Sequence, residues 1–167
     1  MKKDLSNIKK SKFFLSRNEC IGIPTETVYG LAANAYSDLA TSKIFKLKKR
    51  PKNNPLIVHY YSLENLKKDC KINQNFIKLY KKFCPGPITF ILKLESKNKI
   101  SKNVTNKKKT LAVRFPKHSL TRKLLKELDF PLAAPRANIS TKVKAVANNE
   151  VKEKLSNKLK FILNGGC

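Results

Sequence analysis

Short apolar runs closed by proline or glycine alternate along this chain with segments whose apolar residues recur every three or four positions. Residues 2–12 read as a short basic helix or a frayed end. Cys20-Ile21-Gly22-Ile23 is a strand stopped by Pro24. Ser37-Asp38 caps a helix over 38–48, with Leu39, Ala40, Ile44 and Leu47 on one face. Pro55 opens "LIVHYY", a β-rich run that predicts a central strand. Asn73 to Phe83 carries Phe76, Ile77, Leu79, Tyr80 and Phe83 at helical spacing, and Cys84-Pro85-Gly86-Pro87 breaks it. "ITFILKL" and "TLAVRF" predict two more strands, the second stopped by Pro116. The polar segment 95–109 between them reads as a surface loop or hairpin tip. Leu120 to Leu128 predicts a helix with Leu124, Leu125 and Leu128 inward. "FPLAAP" is a short strand, Ala145 to Leu159 a helix and "KFIL" a last strand. Strands interleaved with helices predict one α/β (or α+β) domain.

Composition narrows this picture. The chain has 167 residues, and its 41% hydrophobic content excludes wholesale disorder. It has no apolar run long enough to span a membrane, and its N-terminus lacks an apolar signal region, so a cytoplasmic location with no membrane partner is expected. Thirty-seven basic and eleven acidic residues give a net charge of +26. That excess favours a polyanionic partner. It also fits a tolerant surface shaped by AT-rich codons, because lysine, asparagine and isoleucine are all abundant; both readings stand. Cys20, Cys70, Cys84 and Cys167 have no metal-ligand spacing, and with two histidines they predict reduced, mostly buried thiols and no metal site.

Neither a phosphate-binding loop G-x-x-x-x-G-K-[ST] nor a G-x-G-x-x-G fingerprint is present, so any phosphate chemistry must come from side chains. Four stretches offer them. Pro24-Thr25-Glu26-Thr27-Val28-Tyr29-Gly30 is a compact turn that either presents its hydroxyls to a polar ligand or caps a following helix. Lys48-Lys49-Arg50-Pro51 places cations after a helix C-terminus, where they complement the dipole or clamp a polyphosphate. In Ala112-Val113-Arg114-Phe115-Pro116 an arginine alternates with apolar residues; turned inward, it calls for a carboxylate or phosphate partner, and turned to solvent it calls for none. Ala134-Pro135-Arg136-Ala137-Asn138 surrounds one arginine and one amide with small residues.

The order PTETVYGLAANA, KxRPxxxPLIVH, PGPITFIL, AVRFP and APxAN resembles the YrdC-like family, whose type activity is threonylcarbamoyl-AMP synthesis. The resemblance implies a twisted mixed parallel and antiparallel sheet with an open basic cavity. It divides the chain into a basic extension over 1–10 and a YrdC-like domain over 11–167. It implies ATP, L-threonine and bicarbonate or carbon dioxide as substrates, Mg²⁺ accompanying ATP, and threonylcarbamoyl-AMP with pyrophosphate as products. Transfer RNA or double-stranded RNA and other threonylcarbamoylation proteins are the implied partners. By position, Thr25, His59 and Arg114 would hold threonine. Lys48 and Arg50 would be the catalytic cations on the ATP phosphates, with Arg136 and Asn138 also at the nucleotide. Cations there would offset the repulsion between carbamate and phosphate.

Three departures from the family pattern set further expectations. Arg136 stands where the family has serine. Ser140-Thr141-Lys142-Val143 replaces its usual Ser-Gly. The final "ILNGGC" resembles "ILDGG", which in the family leads on to a strand bearing E-S-T-V. A fragment, or a member with weakened ATP binding, is therefore expected. The alternative is a catalytically weakened YrdC-like module that binds RNA.

Overall fold

The computed structural model describes residues 2–137 and 159–165. The expected Ala145–Leu159 helix and Asn138 fall outside or almost wholly outside them. Six helices and seven strands are described: α1 Lys2–Ser16, β1 Ile21–Ile23, β2 Gly30–Asn34, α2 Asp38–Lys48, β3 Ile57–His59, α3 Leu63–Leu66, α4 Gln74–Phe83, β4 Phe90–Lys93, α5 Lys102–Thr105, β5 Thr110–Arg114, α6 Ser119–Lys126, β6 Leu132–Ala133 and β7 Phe161–Ile162. The strands form one mixed sheet in the order β4-β5-β3-β6-β2-β1-β7. The β3–β5 and β1–β7 pairs are parallel, and the others are antiparallel.

Alternation along the strands separates two cores. Val58, Tyr60, Leu111, Val113 and Phe115 pack on one side with Ala40, Ile44 and Phe45 of α2 and with Phe76 of α4. The second core joins Leu120, Leu124, Leu125 and Leu128 to Ile21, Ile23 and Leu132, and α1 adds Ile8 and Leu15. The expected division after residue 10 therefore falls inside a continuous helix whose buried residues lie on both sides of it. Where β3 and β5 run side by side, Ile57, Ala112 and Arg114 remain only half-buried. That face is where polar chemistry has room.

The helix expected at 38–48 has the bounds of α2, and Ser37 caps it by accepting from the Ala40 N–H at 3.1 Å. Its inward face is Ala40, Thr41, Ile44, Phe45 and Lys48; Leu39, expected inside, is 58% exposed. Leu79 and Phe83 of α4 are likewise exposed. Segment 95–109 is not merely a surface loop. Ser101 starts the one-turn helix α5 and donates to Asp38, Val104 is fully buried, and the Leu56 N–H bonds the Val104 carbonyl at 2.9 Å. After the PTETVYG turn comes a strand, β2, and not the helix that a capping turn would introduce.

Candidate active site

The PTET turn is built from its own hydroxyl. Thr25 Oγ1 accepts from the N–H groups of Thr27 at 3.3 Å and Val28 at 3.2 Å, and donates to the Val28 carbonyl. The adjoining Pro24 carbonyl accepts from the buried Thr121 hydroxyl of α6, which fixes the turn to the second core. Thr25 thus shapes the turn with the group that was expected to meet threonine.

Parallel pairing places His59 directly beside Arg114, at the C-terminal ends of β3 and β5. This is where open α/β sheets gather ligand-binding groups. His59 is 2% exposed, and its Nδ1 has no hydrogen-bond partner. Burial, reinforced by the neighbouring Arg114 cation, pushes the imidazole down to about 3, so it is neutral at pH 7.

Arg114 has found the anionic partner that its inward position demanded. Its Nη1 lies 4.0 Å from Glu26 Oε1, and both side chains are about 15% exposed. Its Nε and Nη2 both donate to Thr89 Oγ1, at 3.2 and 2.9 Å. The Pro-Gly-Pro loop brings Thr89 there, because the Gly86 N–H bonds the Phe115 carbonyl at 2.9 Å just past β5. Glu26 Oε2 accepts from the Lys117 N–H at 3.2 Å, while Oε1 is buried without a hydrogen-bond partner. Next to it His118 also buries an unpartnered Nδ1; burial lowers its affinity for a proton, against the opposing pull of Glu26.

A second group forms around Lys48. The side chain is 2% exposed, and its Nζ donates to the Arg136 carbonyl. Burial, then the Arg50 charge, pushes the amine down to about 8. Lys49 follows in the left-handed conformation (φ 48°) and closes α2. Beyond it the Arg50 guanidinium braces its own loop, donating to the carbonyls of Asn54 at 3.2 Å and Pro55 at 3.0 Å. The Arg136 side chain is exposed, while its backbone bridges to Gly30. Around that bridge the Leu31 N–H bonds Pro135 O at 2.9 Å, and the Ala137 N–H bonds Tyr29 O at 2.8 Å.

The K-x-R and PTETVYG stretches therefore join residues 135–137 at one corner, and PTETVYG joins AVRFP at another, with Tyr29 and Gly30 only a few residues from Glu26. Of the residues singled out from the sequence, His59 and Arg114 adjoin one another and Arg114 faces the PTET turn that Thr25 shapes, while Lys48 meets the Arg136 backbone at the other corner and Arg50 bonds its own loop. Thr89 and His118 were missed, and Glu26 was noticed without a role. The inward arginine was the signal that could have found Glu26. Gly165, in the segment resembling "ILDGG", donates its N–H to the Tyr29 hydroxyl at 3.1 Å and lies against Pro24 and His118.

The Sua5/YciO/YrdC family, described as telomere recombination, matches residues 14–167. This chain is a member of that family. It is similar to the threonylcarbamoyl-AMP synthase of Pyrococcus abyssi, with 39% identity over 92% of this chain and 45% of that protein. Against the Bacillus subtilis threonylcarbamoyl-AMP synthase the identity is 38%, over 95% of this chain and 46% of the relative. The crystal structure of P. abyssi Sua5 complexed with L-threonine superposes with a TM-score of 0.88 and 38% identity, over 93% of this chain and 45% of that one. The chain spans less than half the length of these relatives.

Proposed function

We propose that this family member forms threonylcarbamoyl-AMP and pyrophosphate from L-threonine, bicarbonate or carbon dioxide, and ATP, for threonylcarbamoyladenosine in transfer RNA. The observation that carries the reading is the pair of His59 and Arg114 at adjoining strand ends, with Arg114 facing Glu26 of the PTET turn, in a chain similar to proteins of that activity. Arg114 would receive the threonine carboxylate, and neutral His59 would line the same pocket. Lys48 and Arg50 would face the ATP phosphates, with Arg136 and Asn138 at the nucleotide. Their positive charge would favour the approach of a carbamate to a phosphate. The described residues hold no group of three or more His, Cys, Asp or Glu side chains suited to a metal ion. Mg²⁺ would arrive on the triphosphate, whose oxygens are its natural ligands.

Transfer RNA as the eventual partner is supported by charge placement. A cleft of about 790 Å³ near the start of β5 is lined by Lys71, Lys102, Lys107, Lys108 and Lys109, with Glu95 the one acid among its lining residues. Lysines so grouped suit a phosphate backbone, and binding through them weakens steeply with salt.

The test is a reaction with ATP, bicarbonate and labelled threonine. Release of pyrophosphate that requires threonine, with label transferred to a threonylcarbamoyl nucleotide, is expected. Pyrophosphate release indifferent to threonine would remove the assignment.

A further inference from the structure

We infer that Glu26 and Arg114 together select a zwitterion, Glu26 taking the ammonium of an amino acid while Arg114 takes its carboxylate. The inference rests on the threonine reading of this site and assigns Glu26 a role in it. A guanidinium has three edges available to partners. Thr89 Oγ1 occupies the edge formed by Nε and Nη2. The fork between Nη1 and Nη2 is the edge whose geometry suits a carboxylate in two parallel hydrogen bonds. Glu26 Oε1 lies 4.0 Å from Nη1, at ion-pair distance.

At that distance the Glu26 carboxylate repels a second anion on the arginine and attracts a cation beside it. The pair is neutral as a unit, so it matches a ligand that is neutral as a unit and carries its charges a few ångströms apart. Glu26 is also held in place: Oε2 is fixed by the Lys117 N–H, and the backbone around it is fixed by the Thr25 hydroxyl. Its Oε1 is buried and lacks a hydrogen-bond donor. Buried acceptors are rarely left that way, and a ligand ammonium would supply the missing donor. His59, the register partner of Arg114, is neutral and adds no competing charge.

The experiment compares L-threonine with 3-hydroxybutyrate, which keeps the carboxylate and hydroxyl and lacks the amine. Both are titrated calorimetrically into the full chain, its Glu26→Gln variant and its Thr89→Val variant. Wild type is expected to prefer threonine at least fiftyfold. In Glu26→Gln threonine should weaken tenfold or more while 3-hydroxybutyrate holds or gains, so that the preference falls below about fivefold. Thr89→Val, which loosens Arg114 and leaves the ammonium site intact, should weaken both ligands alike and preserve the preference. An unchanged preference in Glu26→Gln overturns the inference, since a merely structural carboxylate would weaken both ligands together. L-serine and L-valine as further ligands separate the two claims. Should wild type bind another amino acid and not threonine, with the same loss in Glu26→Gln, the zwitterion pair stands and the threonine reading falls. Binding of no amino acid by wild type overturns both.

Discussion

His59 should make this protein acid-sensitive in a way that a single substitution removes. The imidazole is neutral in the folded chain, pushed down to about 3 by burial and by Arg114, against 6.5 when the chain is unfolded. A folded value below the unfolded one means that the unfolded chain takes up the proton first. Stability is therefore complete above pH 6.5 and lost as the pH falls towards 3. Each pH step in that window removes about 1.4 kcal/mol. Between pH 7 and pH 4 this one group costs about 3 kcal/mol, and about 2 kcal/mol by pH 5. Urea unfolding of wild type and His59→Gln across this range provides the measurement. The net charge of +26 destabilises both proteins at low pH, so it cancels in their difference. The stability of wild type relative to the variant should fall by about 3 kcal/mol from pH 7 to pH 4. Its imidazole resonances should also show no inflection between pH 5 and 8. Parallel curves that agree within about 1 kcal/mol would refute the burial argument, as would a titration near the ordinary histidine value.

Three further outcomes follow from other parts of the structure. Asp69 is buried, and its Oδ2 accepts from the hydroxyls of Tyr36 at 2.7 Å and Tyr60 at 2.8 Å; Asp69→Ala should lower the unfolding free energy by about 3–5 kcal/mol and Tyr60→Phe by about 1–2. Equal losses in urea titrations of the two variants would contradict the shared-acceptor geometry. With the Lys48 amine pushed down to about 8, ATP affinity should drop roughly tenfold from pH 7 to pH 9 and stay level in Lys48→Arg; calorimetry at both pH values reads this directly. In Gly165→Ala the new methyl would lie 2.7 Å from Pro24 and 2.9 Å from His118, an overpacking worth about 1–3 kcal/mol. Loss of threonine binding together with a lowered melting temperature is expected, and a variant normal in both shows that this contact is dispensable.

Much of the architecture was legible because its signals are local. A serine cap and helical spacing placed α2 at roughly its observed bounds, and Pro116 follows the strand that carries Arg114. Of the two readings open for Arg114, the structure takes the inward one, with Glu26 as its carboxylate neighbour. What stayed hidden depends on tertiary contacts. β2 is Gly-Leu-Ala-Ala-Asn, a segment of low β-propensity that becomes a strand because β1 and β6 pair with it on both sides. α5 lies in a lysine-rich segment whose composition suggests solvent, yet Val104 anchors it in the core. Thr89 reaches Arg114 across 25 positions through a loop whose course no periodicity reports. Leu39 shows the opposite failure: helical spacing put it on the apolar face, and the packing left it outside.

The contact between Lys48 and residue 136 runs through the main chain. Lys48 is tethered to a peptide oxygen, and the Gly30 bridge is likewise made by the main chain, so the cradle for this lysine is indifferent to which side chain the position bears. Serine and arginine would present the same carbonyl. The exposed guanidinium is a local change of rim potential laid over an unaltered scaffold, and position 136 can vary in charge while the lysine beneath it keeps its anchor.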